Sequence, residues 1–179
     1  MCRSTDAVHI RPATVEDAAV LAAFAGRTFA ETFAADNSAA DMQAHVSRTY
    51  GVAQQTAELT SPTTITLLAE ADQRLVGYAQ VRRGPAPPCV QPADAIELHR
   101  FYVDTPAHGT GVAQRLMAAV FDAARIAGAG HLWLGVWERN ARAIRFYTKA
   151  GFVDVGSHDF VLGTDRQTDR VMVAPVPHP

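Results

Sequence analysis

Lysine is almost missing from this chain of 179 residues: Lys149 is the only one, and arginine supplies the rest of the 16 basic residues. Set against 18 acidic residues they leave a formal charge of -2, which gives no long-range attraction for a polyanion. This argues against nucleic acid or an anionic membrane as partner. Cysteine is equally scarce. Cys2 and Cys89 lie far apart and in no CxxC spacing, so neither a disulfide framework nor a thiolate metal site is expected, and a reducing cytosol fits. No run of about 18 or more apolar residues is present to span a bilayer. The N-terminal stretch MCRSTDAVHIRPATVEDAAV has no apolar core long enough for a signal peptide. The chain reads as a soluble cytoplasmic protein without a metal. A homodimer is left open.

What is present is ordinary globular material, 48% hydrophobic and 19% charged, in a length that suits one domain over residues 1–179. Val8 to Ile10 reads as a strand ended by Pro12. Thr14 with Asp17 three residues on resembles a helix N-terminus, and Leu21, Phe24, Ala25, Thr28 and Phe29 share one helical face. Glu31 to Ser38 reads as irregular, Ala39 to Thr49 as a second helix, and Gln54 to Leu59 as another turn or two. Thr64–Ala69 and Leu75–Val81 are β-branched and apolar on either side of Asp72-Gln73-Arg74, the pattern of a hairpin. A loop crowded with Pro85, Pro87, Pro88 and Pro92 follows. The strand pattern resumes at Ala95 and runs to Val103, which makes the loop a surface excursion within one sheet. A glycine turn, a helix with Val112, Leu116, Val120 and Ala123 on one face, and a strand with alternating Leu132, Leu134 and Val136 come next. Asn140 can cap a further helix that Gly151 can end, and Phe152–Phe160 and Arg170–Val173 close the sheet. The fold class is therefore mixed α/β, with a mainly antiparallel central sheet and helices on both faces.

The turn His108-Gly109-Thr110-Gly111-Val112-Ala113 puts small residues where a strand feeds a helix. Backbone N–H groups there can form an anion-binding nest, or the glycines can simply permit a tight turn. A dinucleotide fingerprint would want a third glycine near Gln114, and a P-loop would want Lys-Ser/Thr after the second. Neither is there. What does follow is Asn140-Ala-Arg-Ala-Ile-Arg-Phe-Tyr147-Thr-Lys-Ala-Gly151-Phe152.

These two segments, in this order and spacing, resemble the GNAT superfamily of N-acetyltransferases, whose motif is Arg/Gln-x-x-Gly-x-Gly/Ala followed by Asn-x-x-Ala-x-x-Phe-Tyr-x-x-x-Gly-Phe. His108 departs from the usual Arg or Gln. The resemblance implies the GNAT (acyl-CoA N-acyltransferase) fold and acetyl-CoA as co-substrate. It implies backbone contacts from Phe101 and Val103 to the pantetheine arm, and a pyrophosphate site over His108, Gly109, Thr110, Gly111, Val112 and Ala113. Asn140 would lie near the pantetheine and Tyr147 near the thioester sulfur. Asn140 as a plain helix cap and Tyr147 as a half-buried core tyrosine are the structural alternatives.

The chemistry fits the residue types. An amine that attacks a thioester expels a thiolate whose thiol has a pKa of about 8.5, and a phenol of about 10 can supply a proton. An alkylammonium of pKa about 10.4 must first lose one. For that base the resemblance points to Glu97, with His99, two residues along the same strand, as second candidate and a water chain as third. Val103 N–H is the candidate oxyanion donor, and Gly135 suits a close backbone approach.

Thr28–Phe33, Ala35–Asn37, Gly135–Asn140, His158–Phe160 and Gln167–Met172 resemble the bacterial spermidine/spermine N-acetyltransferase branch. That likeness implies a small amine or polyamine acceptor, for which Phe29, Glu31, Phe33 and Asp36 offer aromatic and acidic contacts; Phe29 and Phe33, spaced i, i+4, equally suit a core. A peptide α-amine or lysine acceptor, and a non-catalytic CoA-binding module, are the alternatives.

Overall fold

The computed structural model describes residues 8–162 and 165–177. Its strands are β1 (His9–Pro12), β2 (Thr64–Ala71), β3 (Arg74–Arg82), β4 (Ala95–Val103), β5 (His131–Trp137), β6 (Val153–Leu162) and β7 (Asp165–Pro175). They form one open sheet in the order β1-β2-β3-β4-β5-β7-β6, antiparallel except for the β4–β5 pair. The helices are α1 (Ala18–Phe33), α2 (Ala39–Thr49), α3 (Val52–Leu59), α4 (Val112–Ile126) and α5 (Ala141–Lys149). None of the described helices is long and apolar enough to cross a membrane.

Two apolar layers hold the sheet. On one face, Val112, Leu116, Met117 and Val120 of α4 pack with Ile96 and Leu98 of β4 and Leu132, Leu134 and Val136 of β5, and Tyr147 of α5 joins them. On the other, Leu21, Phe24, Ala25 and Phe29 of α1 pack with Met42, Tyr50, Leu68 and Tyr78. A smaller cluster, Trp133, Val171 and Val173, lies under Cys89 and Val90 of the proline-rich loop, which is indeed an excursion within one sheet. Cys2 lies outside the described residues.

Two segments differ from the sequence expectation. Glu31–Phe33 is not irregular but the last turn of α1, which continues into a 3₁₀ turn over Ala34–Asp36. In that turn the Thr32 hydroxyl donates to the Thr28 carbonyl at 2.8 Å, and Glu31 pairs with Arg27 one turn earlier at 3.0 Å, an i,i+4 pair that supports the helix. β7 runs well beyond Arg170–Val173 at both ends. Its polar residues 167–169 all pair with β6, and Asp169 also pairs with Trp137 of β5.

A buried ionic cluster lies beneath α3. Arg100, 7% exposed, donates to Glu58 at 2.5 Å and to Gln80 Oε1 at 2.6 Å, and its guanidinium lies 4.9 Å from the Tyr50 ring centroid.

Candidate active site

The site is built where β4 and β5 part. They pair only from Ala95–Glu97 against His131–Trp133. Beyond that, β4 stays with β3 as far as Val103 while β5 stays with β7 as far as Trp137, so a fork opens between them. The edge β4 presents to the fork follows from its hydrogen bonds. Asp104 N–H donates to the Val76 carbonyl at 2.8 Å, which makes Gly77–Val103 a non-hydrogen-bonded pair. The backbone groups of Val103, and of Phe101 two residues earlier, therefore face the fork. A bulge interrupts β4 here: Val81 pairs with Leu98 and Gln80 with Arg100, so His99 is the extra residue.

At the open end of β4, Gly109 and Gly111 have φ of 77° and 90°, in the left-handed region where a side chain is strained. A Cβ at either would meet no atom within 4 Å, so the space over them is open. The first bond of α4 is Arg115 N–H to the Gly111 carbonyl at 3.1 Å, which leaves the amides of Val112, Ala113 and Gln114 directed out of the helix end. A pyrophosphate fits this nest. Thr110 turns its hydroxyl back to the Ala107 carbonyl at 2.7 Å.

His108 is held on both sides. Its Nε2 lies 2.9 Å from the Val103 carbonyl, and Arg142 Nη1 lies 2.7 Å from its Nδ1. Because a carbonyl only accepts and a guanidinium only donates, the ring is the neutral Nε2–H tautomer. Arg142 and the fork-facing edge of β4 are thus joined through His108, a link between α5 and β4 that local sequence does not announce.

Asn140 caps α5, its Oδ1 accepting from Ala143 N–H at 3.1 Å. Tyr147, 9% exposed, stands edge-on to Phe101 with ring centroids 6.2 Å apart and also packs on Phe146 and Phe152. Burial raises its phenol above the ordinary value, so it is a protonated donor throughout the neutral range.

Glu97 and His99 are in contact despite the bulge. His99 Nδ1 lies 3.1 Å from Glu97 Oε1, while Arg82 from β3 holds Glu97 Oε2 at 2.8 and 3.1 Å. Burial pushes the Glu97 carboxyl up, but hydrogen bonding and charge from His99 and Arg82 outweigh it and leave it below the usual range. Arg82 is a second residue that sequence reading missed.

Of the residues expected to hold the acceptor, Phe29 and Phe33 are in contact, with ring centroids 4.6 Å apart, while Glu31 has another partner. Phe29 is core, stacked on His45 with centroids 4.7 Å apart and packed on Tyr50. Glu31 turns away to Arg27, which also binds Asp104 at 2.8 Å. Only Phe33, 5.9 Å from the Trp137 ring, reaches the β5 end of the groove. The side chain of Asp36 lies outside the described residues. At that end is a polar cleft of about 400 Å³ lined by Asn37, Asp41, Trp137, Glu138, Arg139, Arg166 and Gln167 among others, with charges of both signs. Among the described residues no group of three or more His, Cys, Asp or Glu is arranged to hold a metal.

Comparison with known proteins agrees with this geometry. The model of the acetyltransferase (GNAT) family matches residues 18–152. An uncharacterized N-acetyltransferase of Mycobacterium tuberculosis is 38% identical over 157 residues, covering 88% of this chain and 96% of that protein. A GCN5-related N-acetyltransferase structure from Rhodopseudomonas palustris superposes with a TM-score of 0.73 at 26% identity, covering 98% of both chains. The fold is also that of the PaiA N-acetyltransferase from Thermoplasma acidophilum, solved with coenzyme A: TM-score 0.76, 21% identity, 94% of this chain and 99% of that one.

Proposed function

The chain belongs to the acetyltransferase (GNAT) family, and on that premise we propose that it acetylates a small primary amine, with residues 1–179 acting as one cytoplasmic domain. The observation that carries this reading is the β4–β5 fork, with a donor-lined turn at one end and a protonated phenol in its wall. Acetyl-CoA supplies an acetyl group activated as a thioester.

The chain's own residues have separable tasks. The amides of Gly111, Val112 and Ala113 bind phosphate oxygens, with Gly109, Thr110 and His108 shaping the turn. The fork edges of Phe101 and Val103 align the pantetheine arm beside Asn140, and Val103 N–H is a donor for the acetyl oxygen. Tyr147 gives a proton to the departing sulfur. Glu97 and His99 work as a couple for the amine proton. A carboxylate only accepts, so the shared hydrogen is on His99 Nδ1, which leaves Nε2 as the proton acceptor and Glu97 as its orienting partner. His99 and Arg82 together keep Glu97 ionised for that task.

A small amine is favoured over a polyamine. A tricationic acceptor calls for a surplus of carboxylates, whereas Glu31 is engaged with Arg27, and Asp41 and Glu138 share the cleft with Arg139 and with Arg166, itself paired to Asp159 at 2.9 Å. The test is a panel of monoamines, spermidine, a peptide α-amine and a lysine peptide, assayed with purified protein and acetyl-CoA by thiol release and product mass. Acetylation of monoamines above the rest supports the reading. Preference for the peptide amine replaces it, and CoA binding without transfer to any acceptor would reduce the protein to a CoA-binding module.

A further inference from the structure

Trp137 ends β5 four residues beyond Trp133, the residue level with Glu97 across the fork, and so lies about 13 Å further along the strand. Alternation puts both indoles on the sheet face opposite α4, because Leu132, Leu134 and Val136 fill the α4 side. The close approach that the sequence suggests at Gly135, between them, is made by His158: a Cβ there would meet His158 Nε2 at 2.8 Å. The room for the far end of an acceptor is therefore at Trp137, in the polar cleft of about 400 Å³. Its walls are pinned from several elements. Gln167 Nε2 donates to Asn37 Oδ1 at 2.9 Å, Asn37 Nδ2 donates to the Phe33 carbonyl at 2.8 Å, and Glu138 N–H donates to the Thr168 carbonyl at 3.1 Å.

Most of the charge in and around the cleft is already engaged. Arg166 is paired with Asp159 at 2.9 Å, Asp41 accepts from the Ser38 hydroxyl at 2.8 Å at the start of α2, and Arg170 holds Asp154 at 2.7 and 2.8 Å. Two side chains are left. Glu138 and Arg139 are adjacent in sequence, both exposed, and neither is in an ion pair among the described residues. The Arg139 guanidinium lies over the Trp137 ring, 5.9 Å from its centroid, a contact that takes none of its N–H donors. An occupant that satisfies both side chains carries one anionic and one cationic group close together, as the head of an amino acid does.

We propose that Arg139 and Glu138 seat the α-carboxylate and α-ammonium of an α,ω-diamino acid, whose distal amine reaches back to the Glu97–His99 couple for acetylation. This deepens the amine-acetyltransferase reading and rests on it. The distal amine, its proton given to His99, forms the N–C bond to the acetyl carbon as the C–S bond breaks, and the departing thiolate takes a proton from Tyr147. An amino acid with only its α-amine has a single carbon between ammonium and carboxylate, so a seat about 13 Å from Glu97 along β5 would hold that amine away from the fork. A side chain of several methylenes, together with the reach of His99 and Arg139 themselves, covers the gap. A plain diamine lacks the group for Arg139 and an ω-amino acid lacks the group for Glu138, so each binds with one contact fewer.

The test uses L-lysine, 1,5-diaminopentane and 6-aminohexanoate as probes, with CoA bound. The chain has two tryptophans, so ¹⁵N-labelled protein gives two indole N–H signals, and that of Trp137 is assigned by its loss in Trp137→Phe. It should shift saturably with lysine, with a Kd about fivefold or more below that of either truncated probe, the size expected of charged contacts open to water on one side. Arg139→Gln should remove lysine's advantage over 1,5-diaminopentane, and Glu138→Gln its advantage over 6-aminohexanoate, with CoA affinity and Tm at wild-type values. No shift with lysine, equal affinity for the three probes, or variants that keep lysine's advantages overturn the seat. Because the readout needs no turnover, the two readings fail separately. Lysine bound with no amine acetylated sinks the transferase reading and leaves the seat standing; a monoamine acetylated by a protein that does not bind lysine does the reverse.

Discussion

Removing the Glu58 carboxylate should cost this protein several kilocalories, because it would strand a charge. The Arg100 side chain is only 6% exposed and Glu58 15%, and the pair is linked at 2.5 Å. Breaking a buried pair by deleting one partner typically costs about 3–5 kcal/mol, since the remaining ion has lost both water and counter-charge. Two contacts survive in Glu58→Ala: the Gln80 Oε1 bond and the Tyr50 ring, whose cation–π interaction is worth up to about 2 kcal/mol when desolvated. The expected loss is therefore about 2–4 kcal/mol, or roughly 5–15 °C in Tm for a chain of this size. Replacing both ions, as in Glu58→Leu with Arg100→Met, should recover part of the loss, held back by about 1–3 kcal/mol for the acceptor then unpaired on Gln80. The pH dependence has a definite sign. Burial raises the Glu58 carboxyl, but Arg100, Gln54 and Gln80 together lower it below the ordinary 4.5. A depressed carboxyl contributes stability that is full above its unfolded pKa and disappears as pH falls through the folded one. Denaturation of wild type and Glu58→Ala should then converge progressively as pH falls below the ordinary 4.5. A Tm change under about 2 °C at pH 7 would mean that water reaches Arg100, and the argument would fail.

Three further outcomes follow from the fork. Gly111→Val should abolish the thermal shift given by CoA, because position 111 has φ of 90° and faces the open space over the turn; unchanged CoA affinity in a folded variant removes the nest. Tyr147→Phe should lower kcat by roughly ten- to a thousandfold at constant CoA affinity and constant Tm, the pattern of an interaction made in the transition state, and wild-type kcat would make Tyr147 structural. His99→Gln should lower kcat/KM by roughly a hundredfold or more across neutral pH, whereas an unchanged rate hands the proton to Glu97 or to a water chain.

The sequence carried the elements whose signals are local. α2 and β4 have both ends where periodicity and β-branching put them, and Gly109 and Gly111 marked a turn that needs positive φ. It failed where polarity has a distant cause. Residues 167–169 are polar and lie outside the strand that the sequence suggests, yet all three pair with β6 and Asp169 pairs with Trp137 of β5 as well, so pairing alone makes them strand. Glu31 and Phe29 were near enough in sequence to suggest a common pocket, yet Phe29 lies on the apolar face of α1 and in the core, while the added turn of that helix places Glu31 beside Arg27. Arg82 and Arg142 reach the site only through strand register or packing. No local pattern distinguishes them from ordinary surface charges.

The two readings of Tyr147, core aromatic and proton donor, need not compete. The fork requires that something fill the sheet face where β4 leaves β5. Phe101 on β4 meets Phe146 and Tyr147 on α5 at centroid distances of 5.5 and 6.2 Å, so aromatic rings of α5 wedge the space that strand pairing vacates. The wedge is built from the Phe-Tyr pair of the helix motif, and the apolar surroundings that seat the ring also keep its phenol protonated. Packing explains an aromatic ring at position 147 and is indifferent to its hydroxyl. The proposed proton transfer at the fork would use that hydroxyl, and Tyr147→Phe removes it while keeping the ring.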